Sequence, residues 1–327
     1  WEVDFFGRIR SLKDRALQEF LASDEARRAA QILLVSSVAN GYLTLATDRE
    51  KLALAESTLV AQEEAYNLVK RRHELGLATD IDLFRAQTPV DTSRREVVRF
   101  QQIVALDQNG LDLLLGRPTP AHLLPADLGG VRPPRAVSAG TTSEVLLSRP
   151  DVRQAEHRLR AANADIGAAR AAFFPRISLT ATTGTASAEL TNLFKQGSAT
   201  WAFAPQAAMP VFDARVWSAL KASKAQQKIA VTQYEKAIQD AFREVADALA
   251  VRGTIDRELA AQESLAKAVG ETYRLAQSRY AKGIDSYLDV LDAQRQLYVA
   301  EQVLVSLRLA KLASQVRLYA VLGGGGE

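Results

Sequence analysis

The chain has 327 residues, of which 47% are hydrophobic, and its 41 basic and 38 acidic side chains give a formal net charge of +3. This length and composition exclude a disordered polymer, and the near balance of charge argues against a nucleic-acid partner. Without cysteine, and with three histidines far apart in the sequence, the chain offers no disulfide, thiolate chemistry or metal-ligand spacing, so we expect no metal and no cofactor.

An ungapped repeat of 207 residues organises the sequence. Adding 207 to a position in the first third often gives an identical residue. A long match without insertions is typical of rigid helices and not of loops. The chain therefore contains two copies of one unit, as these pairs illustrate: Val38 and Val245, Glu56 and Glu263, Tyr66 and Tyr273, Gly76 and Gly283, Asp82 and Asp289.

The first predicted elements are the end of a β-strand at residues 1–4 and a long helical hairpin at 5–116. Apolar residues recur at three and four positions, as in a coiled-coil seam, and no proline precedes Pro89. The first helix can therefore extend for about 65 to 70 residues, roughly 100 Å. We predict its turn near 76–79, with glycine as the left-handed C-cap, and a kink at Pro89 in the return helix.

A proline-rich linker is predicted at 117–147, because six of the ten prolines lie between Pro118 and Pro150. An alanine-rich helix follows at 148–174, and we expect its N-terminus to be capped at Ser148.

Residues 175–211 change from a helical period to a period of two, which predicts a β-hairpin. Ile177 and Leu179 alternate with polar residues, and a second extended stretch ends at Pro210. Two strands alone do not form a stable sheet, so they need partners. Periodicity leaves two alternatives open: a pair of membrane strands, or a hairpin docked on the helices.

The second copy of the unit predicts another long helical hairpin at 212–323, with its turn near 283–286 and a tail at 324–327. No proline interrupts the chain after Pro210. No run approaches the roughly 20 apolar residues of a membrane-spanning helix, so we expect no such helix.

Four segments resemble signature motifs of the TolC/OprM outer-membrane efflux family, in family order: 1–8 (WEVDFFGR), 149–156 (RPDVRQAE), 164–170 (ADIGAAR) and 172–179 (AFFPRISL). The resemblance extends over essentially the whole chain and is greatest to the lipoprotein branch that serves RND-type pumps. It implies that the chain is an N-terminally truncated piece of a longer protein.

The resemblance implies a mainly α fold with a small β part. Long antiparallel coiled-coil hairpins would form a trimeric α-barrel in the periplasm, and strands would join a shared 12-stranded β-barrel in the bacterial outer membrane. The implied function is a passive export duct for small molecules, gated at its periplasmic tip, and not an enzyme. Its implied partners are two further copies, outer-membrane lipid, a periplasmic adaptor and an inner-membrane pump of RND type.

The same resemblance assigns the hairpin turns to the gate and to adaptor docking. Asp289 and Asp292 correspond to acidic constriction rings, and Tyr280 and Asp82 to partners in the gate network. Asp285 stands where TolC has an arginine, so that salt bridge is not carried over. The residues implied in adaptor docking are Arg72, Gly76, Thr79, Arg279, Gly283 and Ser286.

Alternative interpretations follow from the residues themselves. Aspartates near a helix start are favoured by the helix dipole, and the repeated glycine and hydroxyl residues are ordinary C-caps and N-caps. A soluble coiled-coil scaffold would explain the heptads and the repeat. It leaves the two extended segments and the motifs that flank them unexplained.

Overall fold

The computed structural model describes residues 1–131 and 144–324, without the side chains of residues 144 and 145. The protein is mainly helical with one small antiparallel sheet, which confirms the predicted fold class. In chain order the elements are β1 (Glu2–Val3), α1 (Arg8–Glu74), α2 (Asp80–Leu115), α3 (Glu144–Leu147), α4 (Pro150–Ala171), β2 (Arg176–Thr185), β3 (Ala199–Ala208), α5 (Ala214–Ala281) and α6 (Tyr287–Val321).

Two of the predicted segments extend beyond the described residues, namely the linker at 117–147 and the tail at 324–327. The described part of the linker contains a short 3₁₀ turn at Ala121–Leu123 and helix α3. Pro89 lies inside α2, where its ring occupies the place of a backbone N–H.

Contacts divide the chain into two units, one of Trp1–Ala29 with Ser143–Phe242 and one of Ala30–Thr142 with Arg243–Glu327. The second unit packs its helices through small and branched side chains, which allow close approach. One cluster joins Leu43 and Ala46 of α1 to Leu128 and to Val305 and Val316 of α6.

A second cluster in that unit joins α1 to α2 through Ala55, Val97 and Phe100. Ion pairs between helices accompany this packing, including Arg308 with Glu50 at 3.3 Å and Lys311 with Asp256 at 2.8 Å. These pairs are partly exposed, so we assign the stability of the unit mainly to the apolar clusters.

A pair of carboxyl groups lies between α1 and α2, with Asp48 on α1 and Asp107 on α2. Asp107 is hydrogen-bonded to Asp48, and its Oδ2 atom is buried without a hydrogen-bond partner. Burial, with the hydrogen bond and the charge of Asp48, raises the pKa of Asp107 from the ordinary 3.8 to about 6. The pair therefore opposes folding at neutral pH. Either Asp107 must keep a proton that it would lose in the unfolded chain, or its negative charge must stay close to that of Asp48.

We expect Asp107→Asn to stabilise the protein near neutral pH. The folded state holds its proton more tightly than the unfolded state, so stability is lost as pH rises from 3.8 to about 6. The amide side chain of the variant does not ionise, so the variant does not lose stability over this pH range. Thermal unfolding near pH 7 should give a midpoint higher by roughly 2 °C, and the gain should vanish below the ordinary pKa of aspartate. The same gain at both pH values would contradict this account.

The first unit contains the sheet, whose strand order is β1-β2-β3 with both pairs antiparallel. β2 and β3 pair over ten residues each, from Arg176 opposite Ala208 to Thr185 opposite Ala199. At the β1 end, Glu2 accepts hydrogen bonds from Arg8 at 2.6 Å and from Arg176 at 2.7 Å. These contacts join the strands to the first turn of α1.

The predicted cap at Ser148 is wrong. Helix α4 begins at Pro150, and Arg149 occupies the N-cap position without a side-chain cap hydrogen bond. Proline suits the first helical position because its fixed φ fits the helix and no N–H is needed there.

One described helix, α1, contains a stretch that is long and apolar enough to cross a membrane, by length and composition only. The prediction that no stretch would meet this criterion was therefore too strong. The stretch is weak evidence for a membrane span, because core helices of soluble proteins meet the same criterion.

Candidate functional site

The turn of the first hairpin is built by glycine and capping chemistry. Gly76 has φ +74°, and the chain closes through hydrogen bonds from the amides of Gly76 to His73 and of Leu77 to Arg72. Thr79 is the N-cap of α2 and forms a capping box with Asp82. The carboxylate of Asp82 accepts from the backbone N of Thr79 at 3.0 Å and from its hydroxyl at 2.8 Å, which lowers the pKa of Asp82.

The turn of the second hairpin repeats this design. Gly283 has φ +72°, and the Ile284 amide donates to the carbonyl of Arg279 at 3.0 Å. Ser286 caps α6, and its hydroxyl donates to the carboxylate of Asp289 at 2.7 Å. Asp82 and Asp289 therefore play the same part in capping at the two turns.

A salt bridge inside the second turn distinguishes it from the first. The guanidinium of Arg279 donates to both carboxylate oxygens of Asp285, at 2.9 Å from Nη2 to Oδ1 and by a second bond from Nε to Oδ2. This hydrogen-bonded pairing lowers the pKa of Asp285. Asp285 thus pairs with an arginine of its own hairpin.

The two hairpin ends are joined by a contact between α1 and α5. Nη1 of Arg72 donates to the Tyr280 hydroxyl at 3.0 Å, and the guanidinium lies 5.7 Å from the centre of the Tyr280 ring. Tyr287 lies beside Tyr280, with ring centres 5.2 Å apart. Burial, followed by the nearby Tyr280 and Tyr273, raises the pKa of the Tyr287 phenol to about 12.

Tyr273 and Tyr287 also belong to this cluster, and neither was predicted from the sequence. A signal was present for Tyr273, which precedes Tyr280 by seven residues, or two turns of α5, and therefore lies on the same helix face. Tyr287 begins α6 on the other side of the turn, so helical spacing does not relate it to Tyr280.

An acidic groove of about 400 Å³ lies between α5 and α6 close to the second turn. We define the acidic groove by Asp285, Asp289 and Asp292, and Arg279 also lines it. Asp292 accepts hydrogen bonds at 2.6 Å from both Arg295 and Gln296, and these lower its pKa, Arg295 most. The groove gathers three acidic side chains around one basic side chain.

The predicted site residues therefore fall into three places. Asp285, Asp289 and Asp292 share the acidic groove, and Tyr280 contacts Arg72 between the hairpins. Asp82 lies in the cap of α2, where the charge of Arg72 contributes, after the hydrogen bonds from Thr79, to the lowering of its pKa.

The exposed aromatic residues around the sheet form the other functional surface. Every residue of β3 is exposed, including Trp201, of which 81% is accessible. Near the strand ends, Phe6 stacks on Phe174 with ring centres 4.6 Å apart, and Phe173 meets Trp217 edge-on at 4.9 Å. Exposed aromatic residues beside apolar strands are typical of a membrane interface.

Helical hairpins with capped turns, combined with a short sheet bearing exposed aromatic residues, define a channel protein of the outer-membrane type. The chain matches the family described as "Outer membrane efflux protein" over residues 1–117 and 141–324. The chain belongs to this family, and it is an outer-membrane channel component of an efflux pump.

Known proteins agree with this assignment. The probable efflux pump outer membrane protein TtgC of Pseudomonas putida is 48% identical over 327 residues, which cover 99% of this chain and 67% of that protein. A membrane protein structure from Pseudomonas aeruginosa has a TM-score of 0.92 at 44% identity, covering 99% of this chain and 73% of that one. The open-state structure of the Neisseria gonorrhoeae MtrE outer membrane channel has a TM-score of 0.88 at 39% identity, with coverage of 99% and 74%.

The family assignment places the protein in the bacterial outer membrane with a periplasmic extension. The alternative of a soluble coiled-coil scaffold loses its support, because the sheet and its flanking segments belong to the matched region.

Proposed function

We propose that the chain is a passive export duct, closed at its periplasmic tip by the acidic groove and the contacts around it. Three copies of the groove around a narrow axis would constrict the opening with acidic side chains and concentrate negative potential there, which favours cations. Contacts between side chains at the tip would hold it closed. The contact of Arg72 with Tyr280 and the salt bridge of Arg279 with Asp285 are suited to this role.

Assembly of three copies is part of this proposal. In the described chain, β1 and β3 are the outer strands of a three-stranded sheet. An outer strand in a membrane needs a partner for its backbone groups, and a barrel shared between protomers would provide one.

The two turns are the proposed docking surface for a periplasmic adaptor, which would link the duct to an inner-membrane pump of RND type. Both turns present the same motif, an arginine, then a glycine with positive φ, then a hydroxyl cap. Two nearly equivalent surfaces in each chain suit a partner that is present in several copies. The residues involved would be Arg72, Gly76, Thr79, Arg279, Gly283 and Ser286.

The single observation that carries the gate proposal is the gathering of three carboxylates in the acidic groove. It is tested by the conductance of the membrane-inserted protein in planar bilayers. We expect a low, cation-selective conductance for the wild type and a several-fold higher, less cation-selective conductance for Asp289→Ala combined with Asp292→Ala.

Asp91→Ala is the matched control, because Asp91 pairs with Arg94 three residues later, as Asp292 does with Arg295, but lies outside the acidic groove. This variant should conduct like the wild type. Equal conductance of all three proteins would be consistent with a channel, but it would show that Asp289 and Asp292 do not gate it.

A further inference from the structure

A cavity of about 350 Å³ lies between the first hairpin and α6, inside the unit of Ala30–Thr142 and Arg243–Glu327. It is separate from the acidic groove, although Asp292 touches both. Three helices each contribute one face, through residues at helical spacing that include Thr58, Gln62, Pro89, Ser93, Leu288 and Tyr298.

The cavity combines apolar walls with a buried hydrogen-bond acceptor. Leu288, Leu291 and the ring of Pro89 supply apolar surface. Gln62 is only 6% exposed, and its Oε1 atom is buried without a hydrogen-bond partner. The hydroxyl oxygen of Tyr298 is buried as well. A buried carbonyl oxygen without a partner has lost its hydration, so the cavity favours a molecule that brings a donor to it.

The repeat shows that the coiled coil itself does not require these polar residues. At the offset of 207, the positions of Thr58, Gln62 and Glu96 are occupied by Leu265, Val269 and Val303. The second hairpin thus packs the same framework with aliphatic side chains. The polar side chains that α1 and α2 contribute at these three positions therefore have no polar counterpart in the second hairpin.

The charged residues at the cavity are already paired, which favours a neutral occupant. Arg295 donates to Asp292 at 2.6 Å. Glu96 accepts from Arg95 at 3.2 Å and from Arg99 at 3.0 Å. A charged molecule would have to disrupt these pairs to find a counterion.

We infer that this cavity binds a small, neutral aromatic molecule that carries a hydroxyl group. The ring would pack against Pro89 and Leu288, and the hydroxyl would donate to Oε1 of Gln62. The volume lies at the lower end of the range for small-molecule sites, about 300 to 1,000 Å³, which suits a single substituted ring. This site goes beyond transport through the duct, because its occupant joins the first hairpin to α6 in the wall.

The absence of cysteine allows a direct test with a single introduced thiol. Ser93→Cys places a reporter in the cavity wall, and its rate of alkylation by a maleimide is measured in the membrane-inserted protein. The probes are 4-ethylphenol and ethylbenzene, which differ in the hydroxyl group. At ten times its dissociation constant, 4-ethylphenol should slow alkylation about tenfold, and ethylbenzene should slow it much less.

Two further variants separate recognition from unspecific effects. Gln62→Leu, added to Ser93→Cys, should remove the difference between the probes. Ser57→Cys, at an exposed position of α1 outside the cavity, should be alkylated at the same rate with either probe. Equal protection of Ser93→Cys by both probes, no protection, or equal slowing at Ser57→Cys would overturn the inference and leave the proposed duct unaffected.

Discussion

Replacing Arg72 by alanine is expected to raise the open fraction of the channel. Arg72 is the donor that joins α1 to Tyr280 of α5, and its guanidinium also lies over the Tyr280 ring. A hydrogen bond of this kind at an exposed position stabilises the joined state by about 1 kcal/mol. Its loss should change the ratio of open to closed channels by a factor of about five, measured as single-channel conductance and open time.

Two matched variants separate the effect of charge at the tip from the effect of the contact between Arg72 and Tyr280. Arg71→Ala removes the same charge from the neighbouring exposed position and should leave the conductance unchanged. Tyr280→Phe removes only the hydroxyl, so it should open the channel less than Arg72→Ala, since the ring remains under the guanidinium. If Arg71→Ala opens the channel as far as Arg72→Ala, net charge at the tip and not the contact controls the gate.

The fold class could be predicted because several levels of the sequence agree. The ungapped repeat requires rigid elements, and the absence of proline allows α1 and α5 to reach 67 and 68 residues. Glycines with positive φ then end both helices, at Gly76 and Gly283. Local signals were weaker where two residues compete for one position, as at the start of α4, where Pro150 and not Ser148 decides the boundary.

The contacts of the candidate site were less accessible to sequence reasoning. The salt bridge of Arg279 with Asp285 joins residues six apart, a spacing that only the turn brings together. Arg72 and Tyr280 are 208 residues apart, so their contact depends on how the hairpins pack.

The carboxyl pair of Asp48 and Asp107 shows why the repeat could not reveal such contacts. Its counterparts in the second copy are Ile255 and Ser314, which carry no charge. A repeat conveys the shared framework, whereas these polar contacts are the places where the two copies differ.

Helices α4 and α1 approach each other closely at Gly167, and filling this position should have a large effect on stability. A Cβ atom at Gly167 would lie 2.6 Å from Oγ of Ser11 and 3.3 Å from its Cβ. Contacts on either side keep the helices in register, with Arg15 bonded to Asp165 at 2.9 Å and His157 to Gln18 at 2.7 Å. These contacts on both sides limit how far α1 and α4 can move apart at Gly167.

We expect Gly167→Leu to destabilise the protein by roughly 3 kcal/mol, because overpacking at a close helix contact outweighs the gain of about 1 kcal/mol from replacing a helical glycine. Gly167→Ala should destabilise it less, and Ser11→Gly added to Gly167→Ala should recover part of that loss. Guanidinium unfolding followed by tryptophan fluorescence measures these three variants and Ser11→Gly alone. Additive effects of Ser11→Gly and Gly167→Ala would show that the two side chains do not meet, since contacting positions must be coupled.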